Sequence, residues 1–108
     1  MTFERKGHSC TTRQQPQEST VEQHYDTLQF GIDTFGEIPT DDRGNPVSYA
    51  QAIRAVVDEA ILADHIGIDV IAVGEHHRPE FAISSPETVL AGIATATSRI
   101  HLASGVTV

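Results

Sequence analysis

The sequence predicts an α/β fold with three parallel strands, since strand-like apolar runs alternate with two amphipathic helices. The predicted order across residues 28–108 is β-α-β-α-β. Each connection between strands exceeds a dozen residues and contains a helix, which favours parallel strands joined by right-handed crossovers. This alternation alone fits both a doubly wound sheet and part of a (β/α)₈ barrel.

The chain is predicted to begin with an unstructured segment. Residues 1–26 are rich in Thr, Gln and Ser and have almost no apolar periodicity. Such a segment cannot bury enough apolar surface to offset the entropy lost on ordering, so we expect a disordered leader. The first strand is predicted at residues 28–35, which mix apolar and β-favouring residues. Residues 36–46 follow as a polar loop with turn-forming Asp, Gly, Asn and Pro.

The first helix has clear start and stop signals. Ser48 can accept a hydrogen bond from the backbone three residues on, and Gln51 can reach back, which together form a capping box. Gly67 supplies the left-handed conformation that ends a helix, and the apolar run 70–73 then reads as a buried second strand. The predicted apolar stripe of the helix consists of Tyr49, Ala52, Ile53, Val56, Val57, Ala60 and Ile61.

The second helix is predicted to begin with Ser85 as its N-cap and Pro86 in its first turn. We expect it to end at 98–99 and the third strand to occupy 100–108, which is rich in β-branched and apolar residues. The predicted apolar face of this helix consists of Val89, Leu90, Ile93 and Ala94.

Composition narrows the class of protein. The net charge of −8 argues against a nucleic-acid backbone as partner. A single cysteine, Cys10, excludes an internal disulfide framework and a multi-cysteine zinc site. The N-terminus lacks the apolar core of a signal peptide, and no run approaches the roughly 18 apolar residues of a membrane span. We therefore expect a cytoplasmic protein without a membrane partner.

The most informative segment is 74–80, Gly-Glu-His-His-Arg-Pro-Glu, directly after the predicted second strand. In α/β folds, ligands bind and chemistry takes place at the carboxyl ends of the strands. Two adjacent histidines between two glutamates at such a position indicate a candidate active site. An imidazole titrates near neutral pH and can exchange protons with a bound reactant.

Strand alternation separates the two histidines. If the strand stays regular, His76 shares a face with Ala72 and Gly74, whereas His77 lies on the face of Val73. The small residues beside His76 would leave room for a bulky group, so His76 is the better candidate to face a ligand. Adjacent strand residues point apart and cannot easily chelate one ion, so no metal site is predicted. The alternative, that either histidine only satisfies backbone groups, stays open.

Other polar residues raise further questions. Glu75 at a buried strand end would need a partner and is a candidate to orient a histidine. The role of Asp33 in the first strand is open. Arg78 and Glu80 could form a local ion pair, which contributes little when exposed. Gly105 within the third strand indicates either a bulge or a close approach of a ligand to the backbone.

Several of these segments resemble the luciferase-like flavin-dependent monooxygenases, the bacterial luciferase family. The resemblance covers about 28–108 and is strongest in the Glu-His-His junction at 74–81, Gly-Glu-His-His-Arg-Pro-Glu-Phe, continued by Ala-Ile-Ser-Ser-Pro-Glu. Segments 30–36, 63–69 and 97–102 also fit the family. The resemblance implies that 27–108 form the N-terminal part of a (β/α)₈ TIM barrel, incomplete at three strands.

The resemblance also implies an activity and a set of site residues. Reduced FMN, supplied by a separate flavin reductase, would react with O₂ to oxygenate a small organic substrate. His76 matches the catalytic histidine of the family, Gly105 and Val106 match contacts to the flavin ring, and His77 is assigned to cofactor binding. A deazaflavin is the alternative cofactor, and full-length members are expected to be homo-oligomers.

Length limits what the chain is expected to do alone. A complete barrel typically needs about 250 residues, and this chain has 108. We therefore expect a truncated, inactive fragment. Two alternatives remain open: a small non-catalytic α/β binding module of the same ancestry, and an independent small enzyme that uses the histidine pair.

Overall fold

The computed structural model describes residues 28–107 and confirms the predicted order of elements. The strands pair in the order β1-β2-β3 and are parallel throughout. The predicted leader at 1–26 lies outside the described residues. The elements are β1 (Gly31–Thr34), α1 (Tyr49–Ile66), β2 (Val70–Gly74), α2 (Pro86–Ala96) and β3 (His101–Val106).

Helix α1 begins and ends as its sequence predicts. Ser48 accepts from the Gln51 backbone N–H at 3.2 Å, and the Gln51 side chain accepts from the Ser48 N–H at 3.0 Å. Gly67 closes the helix with φ of 90°. Tyr49, however, is 53% exposed and does not join the core. Its hydroxyl donates instead to the Pro79 carbonyl at 3.1 Å, on the loop that follows β2.

The core lies between the two helices and one face of the sheet. Ile71 and Val73 alternate along β2 onto this face and are fully buried. Each such side chain contributes roughly 1.5–3 kcal/mol through burial. The buried cluster comprises Val56, Ala60, Ala63, Ile71, Val73, Ile83, Val89, Ile93 and Ile100.

Within residues 28–107, neither helix has the length and apolar character needed to cross a membrane.

Helix α2 is shorter than the sequence predicts. It begins at Pro86 as expected, but Ser85 makes no side-chain hydrogen bond to the backbone of the first turn, and its hydroxyl lies 3.2 Å from that of Thr88. It ends at Ala96 rather than at 98–99, since Thr97 is already extended. Ala94 is exposed, so the predicted apolar face was wrong at that position.

Both outer strands are also shorter than predicted, because β2 offers only five residues for pairing. Strand β1 pairs with residues 70–73, so the predicted strand at 28–35 loses residues at both ends. Strand β3 covers His101–Val106 instead of 100–108. Thr107 lies outside the strand, and Val108 lies outside the described residues.

A buried carboxylate joins the end of α1 to the start of β3. Asp64 is 4% exposed and accepts from the backbone N–H groups of Ser98, Arg99 and Ile100 at 3.1, 2.9 and 2.8 Å. The Ile100 and Arg99 amides hold the pKa of Asp64 below its ordinary value. The Arg99 guanidinium also donates to the Asp64 carbonyl at 2.7 Å. These bonds fix the turn at residues 98–100, which directs the chain into β3.

Candidate active site

The carboxyl ends of β2 and β3 are joined by a backbone hydrogen bond. The Glu75 N–H donates to the Val106 carbonyl at 3.0 Å. One residue later, the His76 N–H donates to the Ile83 carbonyl at 3.0 Å, which ties the histidine to the segment that leads into α2. Regular strand structure ends at Gly74, so the backbone of His76 is held by this loop contact and not by the sheet.

The His76 imidazole contacts two phenyl rings. Its centroid lies 4.2 Å from that of Phe81, with the rings 76° apart, and 5.4 Å from that of Phe35. Phe35 and Phe81 also contact each other edge-on at 6.2 Å. We call these three residues the aromatic cluster. Neither phenylalanine was identified from the sequence as part of the site, because the contact joins loops that follow different strands.

The space predicted beside His76 exists, but a side chain occupies it. Gly74 is buried, and a Cβ atom there would lie 2.5 Å from Cδ1 of Phe35. The absence of a side chain at Gly74 therefore lets the Phe35 ring lie over the end of β2. The room that the sequence indicated beside His76 is therefore occupied at Gly74 by the Phe35 ring.

His77 has different surroundings from His76. Its ring contacts the Glu75 carboxylate, and its side chain is 65% exposed, whereas that of Glu75 is only 10% exposed. Glu75 was predicted to lie against a histidine that it could orient, and in the structure that histidine is His77. Within residues 28–107, no three His, Cys, Asp or Glu side chains are grouped so that they could hold a metal ion.

Backbone pairing connects the loops that follow β1 and β2. Residues Glu37 and Phe81 form an antiparallel bridge. The Ala82 N–H donates to the Gly36 carbonyl at 2.7 Å, and the Ile38 N–H donates to the Glu80 carbonyl at 3.0 Å. These bonds place the two loops side by side and fix the backbone that carries the aromatic cluster.

Gly36 is the tightest point of this loop pairing. Its φ is +69°, and a Cβ atom there would lie 2.6 Å from Cγ1 of the buried Ile83. We expect Gly36→Ala to lower the free energy of unfolding by about 2–4 kcal/mol, because a left-handed conformation and overpacking are both unfavourable. The matched control is Gly44→Ala, since Gly44 has φ of +82° but nothing within 4 Å of the added carbon. Urea unfolding of both variants measures the difference, and equal losses would contradict the steric argument.

An open cleft of about 470 Å³ lies next to the histidines, within the range of small-molecule sites. Arg78 and Glu80 form the expected exposed ion pair beside it, with 3.5 Å between Nε and the carboxylate. The cleft combines a phenol, two imidazoles, a guanidinium and a hydroxyl with apolar surface. It is lined by Tyr49, His76, His77, Arg78, Pro79, Phe81, Ala82 and Ser84.

The third strand contains a bulge at Gly105. Val73 pairs with Ser104, but Gly74 pairs with Val106, so Gly105 is the extra residue. A Cβ atom at Gly105 would meet only ordinary contacts, 3.6 Å from the Gly74 Cα. Packing within the described residues therefore does not require glycine there. Gly105 and Val106 are both exposed.

The face of the sheet opposite the helices is lined by small side chains near its carboxyl edge. The register aligns Asp33, Ala72 and Ala103 in one row across the three strands. Asp33, whose role the sequence left open, is exposed and is therefore not a buried carboxylate among the described residues. Ala72 and Ala103 are small residues of this row, whereas the Phe35 ring lies over Gly74 at the end of β2.

Comparison with known proteins agrees with this geometry. The family model described as luciferase-like monooxygenase matches residues 28–108. Apo-MsnO8 is a similar solved structure, with 28% identity and a TM-score of 0.63 over 73% of this chain and 23% of that chain.

A second similar structure is the oxygenating constituent of 3,6-diketocamphane monooxygenase from the CAM plasmid of Pseudomonas putida. It is described as a type II Baeyer-Villiger monooxygenase in complex with FMN. Its identity is 26% and its TM-score 0.57 over 70% of this chain and 20% of that chain. This chain thus spans less than a quarter of either structure, and no curated protein matches it significantly. Its β-α-β-α-β architecture is a partial luciferase-like barrel, and the chain belongs to the luciferase-like monooxygenase family.

Proposed function

We propose that residues 28–108 supply the first three strands of a flavin-dependent monooxygenase that oxygenates a small organic substrate with O₂. The family match and the FMN-bound relative support this proposal. We propose FMN rather than a deazaflavin as the cofactor, since FMN is the group in that relative. A separate reductase would deliver the flavin in its reduced form. The activity belongs to a complete barrel, because this chain corresponds to 20–23% of its structural relatives.

The observation that carries the proposal is the junction between β2 and β3. The bond from the Glu75 N–H to the Val106 carbonyl sets the segment with His76 beside the bulge at Gly105. We assign Gly105 and Val106 to contacts with the flavin ring. The residues present fit such a group, because the exposed glycine and the adjacent small side chains leave open surface for a planar ring.

The chemistry of oxygen activation would be supplied by the reduced flavin. We assign His76 as the catalytic residue that holds or moves a proton at an imidazole nitrogen. Its backbone is fixed by the Ile83 carbonyl, its ring is packed in the aromatic cluster, and the residue lines the cleft. We assign His77 to cofactor binding, with its ring oriented by Glu75. Tyr49 and Ser84 add hydroxyl groups along the same cleft.

A hybrid barrel tests the proposed function. Residues 28–108 would replace the matching segment of the FMN-bound relative, which supplies the remaining strands. We expect the hybrid to bind FMN and, with reduced flavin and the relative's own substrate, to consume O₂ and form oxygenated product. The unaltered relative is the positive control. A folded hybrid that binds FMN but forms no product would contradict the catalytic assignment of this segment.

The 108-residue chain alone is expected to bind FMN only weakly, with a Kd well above about 1 μM, equivalent to less than about 8 kcal/mol of binding free energy. In TIM barrels the phosphate is usually bound by loops after strands 7 and 8, whereas the described part of this chain has three strands. Titration of flavin fluorescence measures the affinity, with the hybrid barrel as the control. Micromolar binding by the chain alone would favour the small binding module over a barrel segment.

A further inference from the structure

The two phenylalanines of the aromatic cluster are each fixed by an independent feature of the fold. Phe35 leaves the end of β1 and lies over Gly74, where any side chain on β2 would collide with its ring. Phe81 is held by its bridge to Glu37 and by the hydrogen bond from its N–H to the Arg78 carbonyl at 3.0 Å. His76 therefore meets one ring that packs on Gly74 and a second ring whose backbone is held by its own hydrogen bonds.

A histidine ring without such neighbours has broad freedom about its terminal torsion, χ2. Aromatic rings in contact favour edge-to-face or offset arrangements, and the ring of Phe81 meets that of His76 at 76° with only 4.2 Å between centroids. Phe35 makes a second, tilted contact with the same imidazole at 57° and 5.4 Å. Rotation of the imidazole plane would therefore change its contacts with both phenyl rings.

We propose that Phe35 and Phe81 are positioning residues that hold the imidazole plane of His76 in one orientation at the cleft. Gly74 contributes to this positioning, because a side chain at residue 74 would collide with the Phe35 ring. The catalytic consequence rests on the proposed function, whereas the orientation of the ring does not. Orientation matters because displacements near 1 Å can lower the rate of an enzymatic step about 100-fold.

The orientation is tested by NMR on the full 108-residue chain with ¹³C-labelled histidine. His76→Gln and His77→Gln assign the ring signals of the two residues. We expect the His76 ring signals to be displaced from those of the exposed His77 by the neighbouring phenyl rings. Phe81→Leu should move them toward the His77 positions, and Phe81→Tyr, which keeps the ring, should restore them. Methyl signals of Ile83 and Val89 report whether each variant keeps its core.

Coinciding His76 and His77 signals in the original chain would overturn the proposal, as would unchanged His76 signals in Phe81→Leu. If Phe81→Leu loses its methyl dispersion, the decision passes to two other variants. Unchanged His76 signals in Phe35→Leu would overturn the proposal, and so would a loss of the displacement in a folded Phe81→Tyr. In the hybrid barrel, Phe81→Leu should lower kcat about 10- to 100-fold with FMN affinity unchanged. An unchanged kcat would overturn the catalytic part. An inactive hybrid with His76 and Phe81 intact would instead refute the proposed function, while the NMR result still decides the orientation.

Discussion

Replacement of His76 by alanine in the hybrid barrel is expected to lower turnover by about 10²–10⁴-fold while FMN stays bound, because this is the usual contribution of a positioned general acid or base. His76 is held by its backbone bond to Ile83 and by its ring contacts. The loss should therefore fall on kcat and not on cofactor affinity. The matched control is His65→Ala, because His65 is an exposed histidine in the last turn of α1.

Two measurements make this prediction specific. Added imidazole should partly restore turnover to the His76→Ala hybrid, since the cleft of about 470 Å³ is open to small molecules. His77→Ala should weaken FMN binding more than it changes kcat, because we assign that ring to the cofactor. A His76→Ala hybrid with full turnover would refute the catalytic assignment. Equal losses in His76→Ala and His65→Ala would point to a general effect on folding.

The features that the sequence predicted correctly depend on short-range chemistry. The capping box at Ser48 and Gln51 involves residues three apart, and Gly67 ends α1 through its own backbone conformation. The length of β1 was overestimated because strand ends are set by the partner, and β2 pairs with it only along 70–73. Leu28 looked like part of this strand but is 76% exposed.

The candidate site likewise has one part that the sequence predicts and another part that it does not. Strand alternation predicted different surroundings for His76 and His77, but β2 ends at Gly74, so their difference arises from contacts of the loop. The aromatic cluster could not be foreseen, because Phe35 and Phe81 belong to loops after different strands. The one available signal was the position of Phe81 directly after the 74–80 motif. The site roles of His76, His77, Gly105 and Val106 stay predictions until the hybrid barrel is measured.

Asp64 shows that residues important for stability can also be missed in the sequence. By its position it looks like a surface polar residue in an amphipathic helix. Its three backbone partners lie 34–36 residues away, in the turn before β3. One of these partners is the N–H of Ile100, which is a buried residue of the core. Removal of the carboxylate would leave that donor without an acceptor, which is unfavourable in a buried position.

Asp64→Asn is therefore expected to lower the Tm of the chain by roughly 10 °C or more, as judged from the sensitivity of small domains. An amide has only one acceptor oxygen. Its NH₂ group would face backbone N–H groups that now donate to the carboxylate of Asp64. The matched control is Asp41→Asn. Asp41 is exposed and accepts from the Arg43 and Asn45 backbone N–H groups, both at 2.9 Å, so the loss caused by its substitution should be clearly smaller. Equal effects would show that the turn before β3 does not depend on Asp64.

The same carboxylate predicts how stability changes in acid. The pKa of Asp64 is lowered from 3.8 chiefly by the Ile100 and Arg99 amides, so folding favours its ionised form. This contribution is complete above the unfolded pKa and is lost as pH falls through the lowered folded pKa. Between about pH 5 and pH 3, urea midpoints of the original chain should thus fall more steeply than those of Asp64→Asn. Circular dichroism at each pH measures both, and parallel curves would mean that Asp64 titrates alike in the folded and unfolded chain.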